Sequence, residues 1–124
     1  MSRISPGAAR TMAEVREGVD ALDRALVALI AERFAYMDAA ARIKEARETV
    51  RDEGRKRQVL ANVMREGARL GLDPGLLHIL WEALIEASIA HEYREWDRLR
   101  AGLAADGASD GARTRDLRRD RPAL

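Results

Sequence analysis

The sequence predicts an all-α fold of three helices per chain, the first of them very long. Three observations carry this reading. Prolines stand only at positions 6, 74 and 122, and the long stretches between them are rich in Ala, Leu, Glu and Arg, all strong helix formers. Within those stretches apolar residues recur at steps of three and four, the spacing of one helical face. The 124 residues allow one ordinary domain, and 47% hydrophobic with 35% charged residues is too apolar for a disordered chain and too charged for a membrane protein. We expect a soluble globular protein.

The elements follow in order. Residues 1–10 form a flexible N-terminal segment without the apolar core of a signal peptide, and no apolar run approaches the ~18 residues of a membrane span, so a cytoplasmic location is expected. The ordered domain is expected over residues 11–101. From Thr11, Met12, Val15, Val19, Leu22, Leu26 and Leu29 make one stripe that continues through Tyr36, Met37 and Ala40 to about Arg47. A helix of that length would extend about 55 Å, whereas a compact ~100-residue domain has a radius of gyration of about 13 Å. Such a rod cannot bury its stripe within its own chain.

A short loop is expected at 48–52, where two β-branched residues precede a candidate N-cap, Asp52. The second helix runs from about 53 to 70 with Val59, Leu60, Val63, Met64 and Gly67 on its apolar face. Gly71, Asp73 and Pro74 then supply a stop, a cap and a first helical residue, the strongest boundary in the sequence. The third helix runs from Pro74 to about Arg100, facing inward with Leu77, Leu80, Trp81, Leu84, Ile85, Ser88 and Trp96. Residues 102–124 are expected to be a disordered charged tail: five arginines alternate with four aspartates over 106–121, so the signs nearly cancel and no nucleic-acid arm is implied.

Composition removes much chemistry. With no cysteine there is no disulfide frame, thiolate metal site or cysteine nucleophile. His78 and His91 lack metal-ligand spacing, Ser88 and His91 have no glycine-flanked elbow, and there is no glycine-rich phosphate loop. The net charge of +1 draws the chain to neither nucleic acid nor an anionic membrane.

What remains is charge on an apolar face. Arg33 and Lys44 are eleven residues apart, which returns to within about 20° on a helix, and their face also carries Leu26, Met37 and Ala40. Burying unpaired cations costs several kcal/mol each, so acidic side chains or an anionic ligand should lie opposite. Arg55 aligns with Val59 and Asn62, and Ser88 and Glu92 continue the face of Trp81 and Ile85. Two readings stay open: the cations snorkel and pair with glutamates, or three helices enclose an anion site. Arg16 lies about 25 Å by rise from Arg33 and cannot serve the same pocket within one chain. It could across an antiparallel dimer that also buries the stripe, or it could be a surface residue pairing with Asp20.

At these residues the sequence resembles the all-helical chorismate mutases, including the related isochorismate-pyruvate lyases, over roughly residues 12–100. The resemblance is carried by Val15-Arg16-Glu-Gly-Val-Asp20-Ala-Leu-Asp23, Leu29-Ile-Ala-Glu-Arg33, Ile43-Lys44, Val50-Arg-Asp52-Glu-Gly-Arg55 and Gly71-Leu-Asp73. It implies an intertwined homodimer binding a small dicarboxylate, chorismate or isochorismate, with no cofactor and no metal. Arg16 of the partner subunit and Arg33 would hold carboxylates; Lys44 would donate to the ether oxygen and a carboxylate; Arg55 would support a carboxylate or the developing enolate; Asp52 and Ser88 would line the hydroxyl and carboxylate side.

Two positions depart from the family pattern. Glu92 stands where a Gln commonly donates to the ether oxygen, and a carboxylate donates only when protonated, so activity should rise as pH falls. Lys56 stands where a Glu often binds the ring hydroxyl; it is either an altered substrate contact or a side chain pointing to solvent. The resemblance thus implies a mutase converting chorismate to prephenate in aromatic amino acid biosynthesis. Its alternatives are a lyase giving salicylate and pyruvate, or a non-catalytic helical dimerisation module.

Overall fold

The structure, a computed structural model, describes residues 4–109, with side chains described as far as Leu103. Three helices, α1 (Met12–Ile43), α2 (Glu53–Leu70) and α3 (Pro74–Ser109), are joined by short connections, and no strand occurs among the described residues. The chain divides into two compact units, Met1–Ala35 and Tyr36–Leu124.

The first unit contains a 3-10 turn at Pro6–Ala8, inside the segment expected to be flexible, followed by most of α1. The helix begins with a capping box: Glu14 Oε1 accepts from the Thr11 backbone N–H at 3.0 Å while Thr11 Oγ1 accepts from Glu14 N–H at 3.1 Å. Glu14 also accepts from Arg10 N–H at 2.8 Å, and these backbone donors hold its carboxyl below the usual range. Beyond the cap, Met12, Val15, Val19, Leu22, Leu26 and Leu29 are each at least 40% exposed. This part of the stripe is exposed along the first unit.

The second unit holds the end of α1, a 3-10 turn at Arg47–Thr49, α2 and α3. Asp52 caps α2, with Oδ1 accepting from Arg55 N–H at 3.0 Å. At the far end Gly71 takes φ 75°, and Leu72 N–H and Gly71 N–H bond back to the carbonyls of Gly67 and Ala68, closing a Schellman motif. Asp73 Oδ2 then accepts from Leu76 N–H at 3.0 Å and Pro74 opens α3. These boundaries fall where the sequence places them.

Packing of α2 on α3 is close enough to need a glycine. A Cβ on Gly67 would lie 2.0 Å from Leu77 Cδ1. Farther along, Val50, Ile85 and Ile89 form a buried cluster with Val59, Leu60, Trp81, Tyr93 and Trp96 packed against it. Val50 belongs to the expected loop, yet is 3% exposed.

Three expectations are corrected. Helix α1 ends at Ile43 rather than near Arg47. Helix α3 continues to Ser109 rather than ending near Arg100, consistent with the alanines at 101, 104, 105 and 108. Leu80, expected inward, is 51% exposed beside Leu76 and Ile79, because α3 is apolar on more than the face that meets α2. The remainder of the charged tail, 110–124, lies outside the described residues.

Candidate active site

The expected site residues divide between the two units. Arg16, exposed, and Arg33, half-buried, belong to the first; Lys44, Asp52, Arg55, Lys56, Ser88 and Glu92 belong to the second. Within the second unit two of them meet directly.

Lys44 follows the last residue of α1, and its Nζ lies 2.7 Å from Glu92 Oε2 on α3. The same ammonium donates to the Val50 carbonyl at 3.2 Å. Glu92 is only 4% exposed, and an isolated buried carboxylate would carry a large desolvation cost that this cation offsets. The acidic partner expected opposite the misplaced cation is therefore Glu92. One turn earlier on α3, Ser88 is 3% exposed and its hydroxyl donates to the Leu84 carbonyl at 2.7 Å.

The other second-unit residues have local or structural partners. Asp52 serves as the α2 cap, and Arg55 Nη1 donates to Gln58 Oε1 at 2.6 Å on the exposed side of the helix. Lys56 does not point to solvent. Its Nζ is bonded to Glu82 at 2.8 Å and Glu86 at 2.7 Å, with the side chain 16% exposed. Those carboxylates, Glu82 first, raise its pKa. Arg51 joins the same tie, reaching Glu86 at 2.7 Å and Glu53 at 3.0 Å. Arg51 and then Lys56 pull the Glu86 carboxyl down to about 2.

Several groups outside the expected site join α3 to the end of α1 and to the turn after it. Trp96 Nε1 donates to the Lys44 carbonyl at 3.0 Å; Arg100 Nη2 donates to the same carbonyl and Nη1 to that of Ala41, each at 2.6 Å. Arg47 bonds Asp97 through two nitrogens and lies over the Tyr93 ring at 4.5 Å. His91 Nε2 lies 2.6 Å from Asp38 Oδ1, linking α3 to α1. These partners are about fifty residues apart in sequence, beyond the reach of helical spacing rules.

Among the described residues, no cluster of three or more His, Asp or Glu is arranged to hold a metal, and no helix is long and apolar enough to cross a membrane. The chemistry on offer is cationic and carboxylate hydrogen bonding. No curated protein matches the chain. The family model described as chorismate mutase type II matches residues 15–93, a span that runs from the start of α1 to just past Glu92 on α3. With well over half of its length matched and the three helices in place, the chain belongs to the chorismate mutase type II family.

Proposed function

We propose that the chain is a chorismate mutase acting as a cytoplasmic homodimer in the shikimate pathway, rearranging chorismate to prephenate for aromatic amino acid synthesis. The reaction breaks an ether C–O bond and forms a C–C bond within one molecule. It needs no nucleophile; holding the folded substrate near its reactive geometry and placing donors where negative charge develops supply the catalysis. Arg33 and Arg16 of the partner subunit take the carboxylates, and the uncovered α1 stripe supports the dimer that would deliver that second arginine. Arg55, Asp52 and Ser88 line the rest of the ligand, while Lys56 acts from behind by tying α2 to α3.

The observation that carries the reading is the Lys44–Glu92 pair in a chain of this family. Lys44 is a flexible point donor held by a buried carboxylate and one backbone carbonyl. An arriving substrate takes up its ammonium at the ether oxygen. Glu92, relieved of that pairing, becomes the second donor to the ether oxygen when it carries a proton. Glu92→Gln, a neutral donor of the same shape, should therefore turn over chorismate at least as fast as the wild type, and Glu92→Ala, which removes the donor, should be at least about 10-fold slower. A Glu92→Gln rate as low as that of Glu92→Ala would refute the role of Glu92.

A further inference from the structure

We infer that Trp96 and Arg100 are positioning residues, forming a cap on the end of α1 that sets where the Lys44 ammonium stands. The inference rests on the reading of Lys44 as a substrate contact. An α-helix leaves its last carbonyls without intrahelical partners, and its C-terminus favours a cation. Here the last inward bond of α1 is Lys44 N–H to the Ala40 carbonyl at 2.9 Å. After it, the backbone turns away at Lys44 toward the Arg47–Thr49 turn.

Three donors from α3 occupy that end. One Arg100 guanidinium forks across the Ala41 and Lys44 carbonyls, and the Trp96 indole shares the Lys44 carbonyl. The guanidinium also lies over the Trp96 ring at 4.4 Å, so each side chain fixes the other. The planar fork is what allows one residue to span two carbonyls of successive turns, which a lysine cannot do. The same helix supplies Glu92, one turn before Trp96. Thus α3 holds Lys44 at both ends: the carbonyl through Trp96 and Arg100, the ammonium through Glu92. Loss of the cap would leave the ammonium's partners in place while letting its backbone shift.

The test uses the full chain with Trp96→Phe, which keeps a ring beneath the guanidinium and removes one donor, and Arg100→Lys, which keeps a cation and removes the fork. Backbone amide exchange and chorismate kinetics are measured for both, each also in a Lys44→Ala background. Exchange at Thr49 and Val50, whose amides bond the Ala46 and Arg47 carbonyls, should accelerate at least about fivefold. Misplacing a donor by about 1 Å costs on the order of 100-fold at most, so kcat should fall about 10-fold with KM changed less than about twofold. In the Lys44→Ala background neither substitution should lower kcat further. Unchanged exchange, or an equal loss of kcat without Lys44, would overturn the inference. If wild-type protein turns over no chorismate, the mutase reading has failed, and exchange alone decides whether the cap exists.

Discussion

Replacing Lys44 by methionine keeps the length of the side chain and removes its charge, which isolates the electrostatic work of the pair. Removing one partner of a buried ion pair costs about 3–5 kcal/mol, because the remaining charge is left uncompensated. Here the Glu92 side chain is 5% exposed and that of Lys44 29%, so water reaches the pair from one side. We place the loss for Lys44→Met at about 2–3 kcal/mol, including the Val50 carbonyl bond. Glu92→Gln leaves Lys44 partly hydrated and bonded to Val50, and should cost about 1 kcal/mol. The double variant buries no charge, so it should be more stable than the sum of the singles by about 1.5 kcal/mol or more. Urea unfolding at neutral pH measures all four proteins at one fixed protein concentration, since the stability of any oligomer depends on it. A Lys44→Met loss below about 0.5 kcal/mol, or singles that add to within that amount, would refute the reasoning.

Two further predictions concern the frame around the site. Gly67→Ala gains about 1 kcal/mol of helix propensity but forces a Cβ to within 2.0 Å of Leu77 Cδ1, in a core where overpacking costs about 1–3 kcal/mol; the urea midpoint should fall, and a rise would mean that Leu77 rotates away freely. The Glu86 carboxyl, held at about 2 by Arg51 and Lys56, sits below its unfolded value of about 4.3. Its stabilisation is therefore fully present above about pH 4.3 and is lost as pH falls toward about 2, so melting temperature should drop through that window and Glu86→Gln should flatten the drop. Parallel curves for the two proteins would count against the tie.

What was legible in the sequence and what was not separates along one line: local devices could be read, distant partners could not. Asp52, Gly71, Asp73 and Pro74 act on backbone within four residues, and α2 begins and ends where they dictate. The excess length of the α1 stripe was equally readable, since length and periodicity need no partner. The end of α1 was misplaced, and the side chains that meet it, Trp96 and Arg100, come from more than fifty residues away, where helical spacing gives no sign of them. Lys56 looked like a departure at a ligand position because its glutamates lie on another helix. Leu80 shows the limit of periodicity where a helix is apolar on several sides: spacing identifies a face without saying which neighbour covers it. Lys44 and Glu92 were legible as polar residues on apolar faces, and only folding shows that each is the other's partner.

The most direct test incubates wild-type and Lys44→Ala protein separately with chorismate and with isochorismate and follows the products by NMR. We predict prephenate from chorismate, formed at least about 100-fold more slowly by Lys44→Ala while the dimer persists. Salicylate and pyruvate from isochorismate with little prephenate would make the chain a lyase instead, and no product from either substrate would contradict the enzymatic reading altogether.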